Sequence, residues 1–233
     1  MSNPYQVVRD FESALCEYTG APFAVTTNSC TAALLLAVAW HLRAAPGLPG
    51  DPAWREVNIP RRTYISVPMS IIHAGGRPTF RDEEWRGGYQ LKPLQVWDCA
   101  RYFTSGMYRG TRPFTFTHQI FDHSLTTVDL KTDCAGQMVC LSFHAAKTLG
   151  DTQGGAILLD DPEAAAWLRR ARFDGRTEGV APKDDTFTQI GYHCYMSPDV
   201  AARLLFKLHS LPRNNDPLPN DDYPSLDKLE IFK

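Results

Sequence analysis

Near the start of the chain, apolar residues recur at three- and four-residue steps, which is the spacing of one face of an α-helix. The residues that make this pattern are Val7, Val8, Phe11, Ala14, Leu15 and Tyr18. Glycine ends many helices because it adopts the left-handed conformation without strain. The pattern therefore predicts an amphipathic helix that stops at Gly20.

Beyond Gly20, short apolar runs typical of strands alternate with apolar stretches of helical length. Residues 23–26 predict a strand, 28–31 a turn, and 32–42 a helix so uniformly apolar that it should be buried on several sides. Further strands are predicted at 57–59, 78–81, 94–97, 138–143 and 156–159, and further helices at 66–73, from 161 onwards and at 200–211. This alternation predicts an α/β architecture.

Two segments do not fit the alternation. Phe114, Phe116, Ile120 and Phe121 indicate a β-hairpin, but polar residues interrupt it, so 110–136 is interpreted as an insertion. Residues 212–233 contain four prolines, too many for a regular element, and are predicted to form an extended C-terminal tail. Residues 1–211 are then expected to form one large domain, which suits a chain of this length.

Composition and charge exclude several function classes. The 233 residues carry 24 Lys plus Arg against 26 Asp plus Glu, a formal net charge of -2, so no nucleic-acid partner is expected. No apolar run reaches the ~18 to 20 residues that cross a bilayer, and residues 1–10 do not resemble a signal peptide. No membrane association is therefore expected, and the predicted location is cytoplasmic. The six cysteines form no CxxC pair and are interpreted as reduced thiols.

One predicted strand is followed by a lysine that could act as a nucleophile. Residues 141–150 read LSFHAAKTLG, and Gly154-Gly155 follows closely. Burial disfavours the charged ammonium, so a desolvated Lys147 could supply the free amine that a Schiff base requires. The alternative is an ordinary solvated lysine on the surface, which is the commoner state of this residue type.

Two further positions suit a ligand of the α/β class. Residues 28–31, Asn-Ser-Cys-Thr, lie at the predicted start of a helix, where free backbone N–H groups and hydroxyls can bind a phosphate. Plain N-capping by Ser29 or Asn28 is the alternative. Asp98 follows the strand predicted at 94–97, and carboxyl ends of strands are where α/β proteins place ligands. Such a residue can also be only a turn or cap residue.

In their order along the chain, these segments resemble the DegT/DnrJ family of pyridoxal-phosphate sugar aminotransferases, in the aspartate aminotransferase fold superfamily. The resemblance covers most of residues 8–211. Its segments are FESALCEYTG at 11–20, NSCTAAL at 28–34, PRRTYIS at 60–66, WDCA at 97–100, SFHAAK at 142–147 with the double glycine, and GYHCYMS at 191–197. It implies a fold type I large domain, with little or no small domain: a three-layer α/β architecture whose sheet is mostly parallel, with helices on both faces.

The resemblance also implies pyridoxal 5'-phosphate as cofactor and gives each matching residue a role. Lys147 would hold the cofactor as an internal aldimine and shuttle a proton, and Asp98 would pair with the pyridinium nitrogen. Tyr64 would stack on the ring. The phosphate would be held by Ser29, Thr31 and Ser142.

Several matching positions carry residues that are unusual for the family. Cys30 stands where the phosphate turn usually has a glycine. Arg101 stands where an amide or imidazole normally touches the ring oxygen, and its guanidinium would favour the phenolate. His193 replaces an asparagine that reaches the phosphate from the neighbouring subunit, and Tyr195 replaces an arginine. Cys30, Arg101 and His193 are expected to bind the cofactor by position, unless these side chains face elsewhere.

The implied activity moves an amino group from an amino acid, with glutamate the expected donor, to a nucleotide-linked keto-sugar. The implied assembly is a homodimer with shared active sites. Relatives have a longer connection before Asp98 and a further carboxyl-terminal domain, so the chain would be a shortened form that lacks most of that domain.

Three alternatives stay open. A truncated, non-catalytic homologue would serve as a binding or assembly subunit. A sugar dehydratase is a weaker alternative, because the family's dehydratases have histidine in place of Lys147. In a third, His118, Asp122, His123 and Cys134 form a metal site, but their spacing matches no standard zinc pattern and no metal is expected.

Overall fold

The computed structural model describes residues 5–43, 55–109 and 134–233, together with two strands at 114–119 and 125–130. Its α-helices are α1 (Gln6–Thr19), α2 (Cys30–Leu42), α3 (Ser66–His73), α4 (Pro162–Ala171) and α5 (Pro198–Ser210). Its strands are β1 (Phe23–Thr27), β2 (Glu56–Pro60), β3 (Arg77–Arg81), β4 (Tyr89–Gln90), β5 (Val96–Asp98), β6 (Phe114–Gln119), β7 (Leu125–Leu130), β8 (Met138–Ser142) and β9 (Gly155–Leu159). The helices and most strands therefore lie within a few residues of the positions that the sequence predicts.

The ends of the helices follow from single residues. Gly20 caps α1 in the left-handed conformation, with φ of 78°, and its N–H donates to the Cys16 carbonyl. Ser29 caps α2 by accepting a hydrogen bond from the Ala32 N–H. Asp161 caps α4 in the same way, with Pro162 in the first turn.

The central sheet has the strand order β1-β9-β8-β5-β4. Strands β2 and β3 form a parallel pair, and a bridge between Asn58 and Lys92 joins this pair to the edge at β4. Within the described part of the sheet, five of the seven strands, β1, β2, β3, β5 and β8, run in one direction, as expected of a mostly parallel sheet. Among these described strands, however, only β5–β8 and β2–β3 pair in parallel. The reason is that β4 and β9 run opposite to the other strands and lie between them, so the sheet is mixed.

Helices cover both faces of this sheet, as the resemblance implies. Successive residues of β8 point to opposite sides, so Cys140 packs with α2, α3 and α4, while Val139 packs with α1 and α5. The two sides form separate apolar cores that are largely excluded from solvent. The three-layer α/β architecture is therefore confirmed.

The sequence did not predict the short hairpin that β4 and β5 form. Its first strand is β4, and its turn contains a cis peptide bond between Lys92 and Pro93. The Leu91 N–H donates to the Val96 carbonyl across the turn. Strand β4 thus lies between β5 and β2 in the sheet, and it brings Tyr89 beside Asp98.

The two segments that do not fit the alternation, 110–136 and 212–233, can be compared with the structure to different extents. Strands β6 and β7 pair as an antiparallel hairpin, while residues 110–113, 120–124 and 131–133 lie outside the described residues. The segment 212–233 is not extended throughout, because it contains short 3-10 turns at Leu226–Lys228 and Glu230–Phe232 and buries Leu226 completely. The domain limits stay a prediction. None of the described helices is long and apolar enough to cross a membrane.

Candidate active site

A cavity of about 340 Å³ opens at one edge of the central sheet. Strands β1, β5 and β8 run in the same direction, so their carboxyl ends meet at this edge. The cavity is lined by Ser29, Cys30, Thr31, Leu34, Thr63, Tyr64, Ser66, Val67, Trp85, Asp98, Ala100, Arg101, Ser142, His144, Ala146, Lys147, Gln153, Gly154, Asp221 and Tyr223. It therefore brings together all the site residues predicted from the sequence except His193.

Asp98, the last residue of β5, is a carboxylate buried at the base of the cavity. Its Oδ1 accepts a hydrogen bond from the Ala100 N–H at 2.9 Å, and its Oδ2 accepts one from the Tyr89 hydroxyl at 2.8 Å. Burial raises the pKa of Asp98, while these two hydrogen bonds and the charge of Lys147 oppose the rise. Among the described residues Asp98 forms no ion pair, so the site suits a ligand that brings a protonated nitrogen.

Lys147 lies in the loop between β8 and β9, on the wall of the same cavity. Within the described part of the chain its amine forms no hydrogen bond or ion pair. Burial lowers the pKa of Lys147, and the Arg101 charge lowers it further, whereas the Asp98 charge acts in the opposite direction. A lowered pKa increases the fraction of free amine, which is the nucleophilic form.

The loop that carries Lys147 is fixed at its base. The Asp151 N–H donates to the Phe143 carbonyl at 2.9 Å and so closes the loop. The Asp151 carboxylate accepts hydrogen bonds from Arg203 at 2.9 Å and from Lys207 at 2.8 Å, both on α5. These contacts hold the loop against the helix and thereby set the position of Lys147.

The start of α2 forms a cradle for an anion at the other side of the cavity. The first N–H groups of a helix have no acceptor within the helix, and the Thr31 hydroxyl lies beside them, 2.8 Å from the Ser66 hydroxyl. Gly155 allows β9 to approach closely, because a Cβ there would lie 2.5 Å from the Ser29 carbonyl oxygen. Ser142 lines the cavity at the end of β8. This group of hydroxyl and N–H donors suits a phosphate.

Cys30 does not disturb this cradle by its charge. Burial raises the pKa of the Cys30 thiol well above its usual value, and the Asp98 charge raises it further. The side chain is therefore a neutral thiol at physiological pH. Tyr64 lines the cavity with 58% of its surface exposed, which leaves a ring face available to a ligand.

Arg101 reaches the cavity, but its guanidinium already has partners in the segment that follows α5. Its Nη1 lies 2.7 Å from Asp221 Oδ2 and 3.4 Å from the Tyr223 hydroxyl. Its Nη2 donates to the Pro219 carbonyl. The expected contact with the ring oxygen of a cofactor would therefore require Arg101 to share its hydrogen bonds with this segment.

His193 lies outside the cavity of its own chain. Its side chain is 72% exposed, and its Nδ1 lies 2.9 Å from Asp174 Oδ2. Its ring also contacts Tyr195 edge to face. The expectation that His193 reaches the cofactor of a partner subunit stays a prediction.

Several residues of the cavity were not predicted from the sequence. Tyr89 and Trp85 belong to the unpredicted hairpin and the loop before it, and Asp221 and Tyr223 belong to the proline-rich segment. No local pattern marks these four residues, because distant parts of the chain bring them to the site. The alternative metal site stays untested, because the side chains of His118, Asp122 and His123 lie outside the described part of the chain.

The chain matches the profile of the DegT/DnrJ/EryC1/StrS aminotransferase family over residues 1–97 and 128–217. The match includes Lys147 and the anion cradle, while Asp98 and Arg101 fall just beyond the first matched segment.

Individual relatives agree with this match. The chain is 28% identical to the spore coat polysaccharide biosynthesis protein SpsC of Bacillus subtilis (strain 168), over 74% of this chain and 47% of that protein. It is 27% identical to the UDP-4-amino-4-deoxy-L-arabinose--oxoglutarate aminotransferase of Shewanella sediminis (strain HAW-EB3), over 84% of this chain and 54% of that protein. The crystal structure of AtS13 from Actinomadura melliaura superposes with a TM-score of 0.64 at 20% identity, over 88% of this chain and 60% of that one. This likeness shows a shared fold. The chain spans about half the length of the curated relatives that it matches.

Proposed function

The chain belongs to the DegT/DnrJ/EryC1/StrS aminotransferase family, and on this premise we propose that it transfers an amino group from glutamate to a keto-sugar carried on a nucleotide. Pyridoxal phosphate is the family's cofactor. One observation carries the proposal: a buried carboxylate and a lysine amine, neither of which forms an ion pair with any described residue, line the same cavity beside an anion cradle.

The residues present fit this cofactor group by group. Asp98 would hold the protonated ring nitrogen, and the start of α2 with Ser29, Thr31 and Ser142 would hold the phosphate. Tyr64 would cover one face of the ring. The bound cofactor supplies an electron sink that stabilises a carbanion at the substrate.

Lys147 then has two tasks in this site. Its Nζ would hold the cofactor through the cofactor's carbonyl carbon, whose oxygen would leave as water, and the lowered pKa of Lys147 favours the neutral amine that this attachment requires. When an incoming amino group takes its place, the same Nζ would be free to accept a proton from one carbon and return it to another. The anchored loop keeps this nitrogen in place for both tasks.

The names of relatives support the choice of substrates. One curated relative is a UDP-4-amino-4-deoxy-L-arabinose--oxoglutarate aminotransferase, and another is a GDP-perosamine synthase. Both names describe amino sugars on a nucleotide, and the first also names the keto acid that glutamate leaves after giving up its amino group. We therefore extend glutamate and a nucleotide-linked keto-sugar to this chain as its substrates.

We further propose that the protein is a homodimer in which both subunits contribute residues to each active site. We propose the cytoplasm as its location. His193 is exposed and lies outside its own cavity, as expected for a residue that reaches a partner's site. The alternative of a non-catalytic binding or assembly subunit makes no use of the free amine at Lys147.

Covalent attachment of the cofactor tests the proposal. Purified protein loaded with pyridoxal phosphate should show a visible absorption band that borohydride removes, and peptide mass spectrometry should then locate the reduced cofactor on Lys147. The Lys147→Ala variant should lose the band, whereas a Lys183→Ala variant, which changes an exposed lysine, should keep it. Attachment at another lysine, or no attachment while the fold is intact, would refute the proposal.

A further inference from the structure

Residues 217–223, called the strap below, lie along one side of the cavity. The Leu218 N–H donates to the Arg101 carbonyl at 2.8 Å, and the Asn220 side chain donates to the Trp85 carbonyl. Pro217 packs against Gly87, where an added Cβ would lie 3.2 Å from the proline ring. The strap is therefore held both by the residues after β5 and by the loop before β4.

The strap directs a carboxylate and a phenol into the cavity. Asp221 lies with both oxygens on the Arg101 guanidinium, at 2.7 and 3.3 Å. The Tyr223 hydroxyl lies 3.2 Å from Asp221 Oδ2. Because the Asp221 side chain is 66% exposed and a carboxylate can accept about four hydrogen bonds, it keeps acceptor capacity for a ligand.

An aromatic wall stands beside these polar groups. The rings of Trp85 and Tyr223 are nearly parallel, at 15°, with centroids 6.3 Å apart. Trp85 also packs against Tyr89, with centroids 4.7 Å apart, and the Tyr89 hydroxyl donates to Asp98. The Trp85 Nε1–H donates to the Arg62 carbonyl at 2.9 Å, so the indole is fixed in orientation. The wall thus extends from the strap towards the buried carboxylate.

The chemistry of this wall differs from that of the cofactor contacts. A sugar ring presents both hydroxyl groups and a face of C–H bonds, and it is bound well by an aromatic surface next to charged hydrogen-bonding groups. The Arg101–Asp221 pair has no net charge, so it offers hydrogen bonds without attracting the carboxylates of an amino acid donor. The wall therefore suits the sugar better than glutamate.

We propose that Trp85, Asp221 and Tyr223 form the sugar subsite of the cavity, with Trp85 packed on the C–H face of the sugar and the other two side chains bound to its hydroxyls. The proposal rests on the proposed function and adds residues that determine its specificity. It places the sugar-binding wall within the same chain as Lys147.

Transamination separates into two half-reactions, and this separation gives the test. Wild type, Asp221→Ala, Tyr223→Phe and Trp85→Ala, each loaded with pyridoxal phosphate, are first mixed with glutamate and then with a panel of UDP- and GDP-linked 4-keto-sugars. We expect the rate of the glutamate step to stay within about twofold of wild type in Tyr223→Phe and Trp85→Ala, while their sugar step falls clearly. In Asp221→Ala the sugar step should fall about 10- to 100-fold more than the glutamate step, as for loss of a hydrogen bond to a charged group. Asp222→Asn is the matched control, because Asp222 is exposed and forms no hydrogen bond or ion pair with the described residues.

A binding measurement on cofactor-free protein gives a second readout. Calorimetry compares UDP-glucose with UDP, and GDP-mannose with GDP. The sugar should increase the affinity in wild type and in Asp222→Asn, and this increment should disappear in Asp221→Ala.

The outcomes separate this proposal from the proposed function. A wild type that fails to react with glutamate refutes the proposed function, and the subsite falls with it. If wild type reacts normally with glutamate, three results overturn the subsite alone: variants that lose both half-reactions equally, variants that keep both, or a sugar increment that survives in Asp221→Ala.

Discussion

Replacing Asp98 with asparagine removes one charge from the site and leaves its shape nearly unchanged. The asparagine Oδ1 can still accept the hydrogen bond from the Ala100 N–H. The Tyr89 hydroxyl, which lies 2.6 Å from the Thr63 hydroxyl, can donate to Thr63 and accept from the new amide. The variant should therefore fold normally and test the charge alone.

The size of the effect follows from the burial of Asp98. Leaving a buried ion without its partner costs roughly 3 to 5 kcal/mol, which corresponds to about 10² to 10⁴ in rate. The ring nitrogen can release its proton instead, so the cofactor should still bind while its capacity as an electron sink is lost. The Asp98→Asn variant should accordingly bind the cofactor but react with glutamate about 10² to 10⁴ times more slowly.

Single-turnover absorbance measurements of the glutamate half-reaction, together with a cofactor titration, provide the assay. Tyr89→Phe is the matched comparison, because it keeps the charge and removes one hydrogen bond to the Asp98 carboxylate. It should slow the reaction less than Asp98→Asn does, because the carboxylate that pairs with the ring nitrogen remains. If Asp98→Asn reacts as fast as wild type, or more slowly only because it has lost the cofactor, Asp98 does not pair with the ring nitrogen.

Two further predictions concern the shared site and the loop that carries Lys147. Mixing the inactive variants Lys147→Ala and His193→Ala should partly restore activity if sites are shared between subunits, and a fully active monomer at micromolar concentration would contradict that assembly. Arg203 and Lys207 hold the pKa of Asp151 well below its usual range, so this carboxylate stabilises the fold above about pH 4, and the contribution is lost as the pH falls towards the lowered value. Asp151→Asn should thus lower the free energy of unfolding in urea by about 1 to 2 kcal/mol at pH 7 and by less at pH 3, since both cations are partly solvated. Asp199→Asn, which removes the exposed partner of the same arginine, should leave the free energy of unfolding nearly unchanged, and equal losses in both variants at all pH values would contradict this reasoning.

The parts of the site that the sequence predicts are those set by local patterns. Lys147 follows an apolar strand, Ser29 precedes an apolar helix, and Asp98 ends a strand, so each position could be read from its neighbours. The resemblance then joined these three segments into one site. The structure places all three on the same cavity.

The parts that the sequence does not predict depend on distant contacts. Tyr89 lies in a strand of two residues, which is too short to give an alternating pattern. Asp221 reaches Arg101 across 120 positions of the chain, and its surroundings show only prolines and acidic residues. The direction of β9 also cannot be read from its apolar run, because all five of its residues are buried and a strand covered on both faces is continuously apolar whichever way it runs.

Transfer of a labelled nitrogen tests the central claim most directly. The wild type, loaded with pyridoxal phosphate, is incubated with ¹⁵N-glutamate and the panel of nucleotide-linked 4-keto-sugars, and the products are analysed by mass spectrometry. The structure and the family predict a nucleotide-linked amino sugar that carries ¹⁵N, and its complete loss in Lys147→Ala. Loaded wild-type protein that forms no labelled product from any member of the panel, or labelled product that persists in Lys147→Ala, would contradict the account.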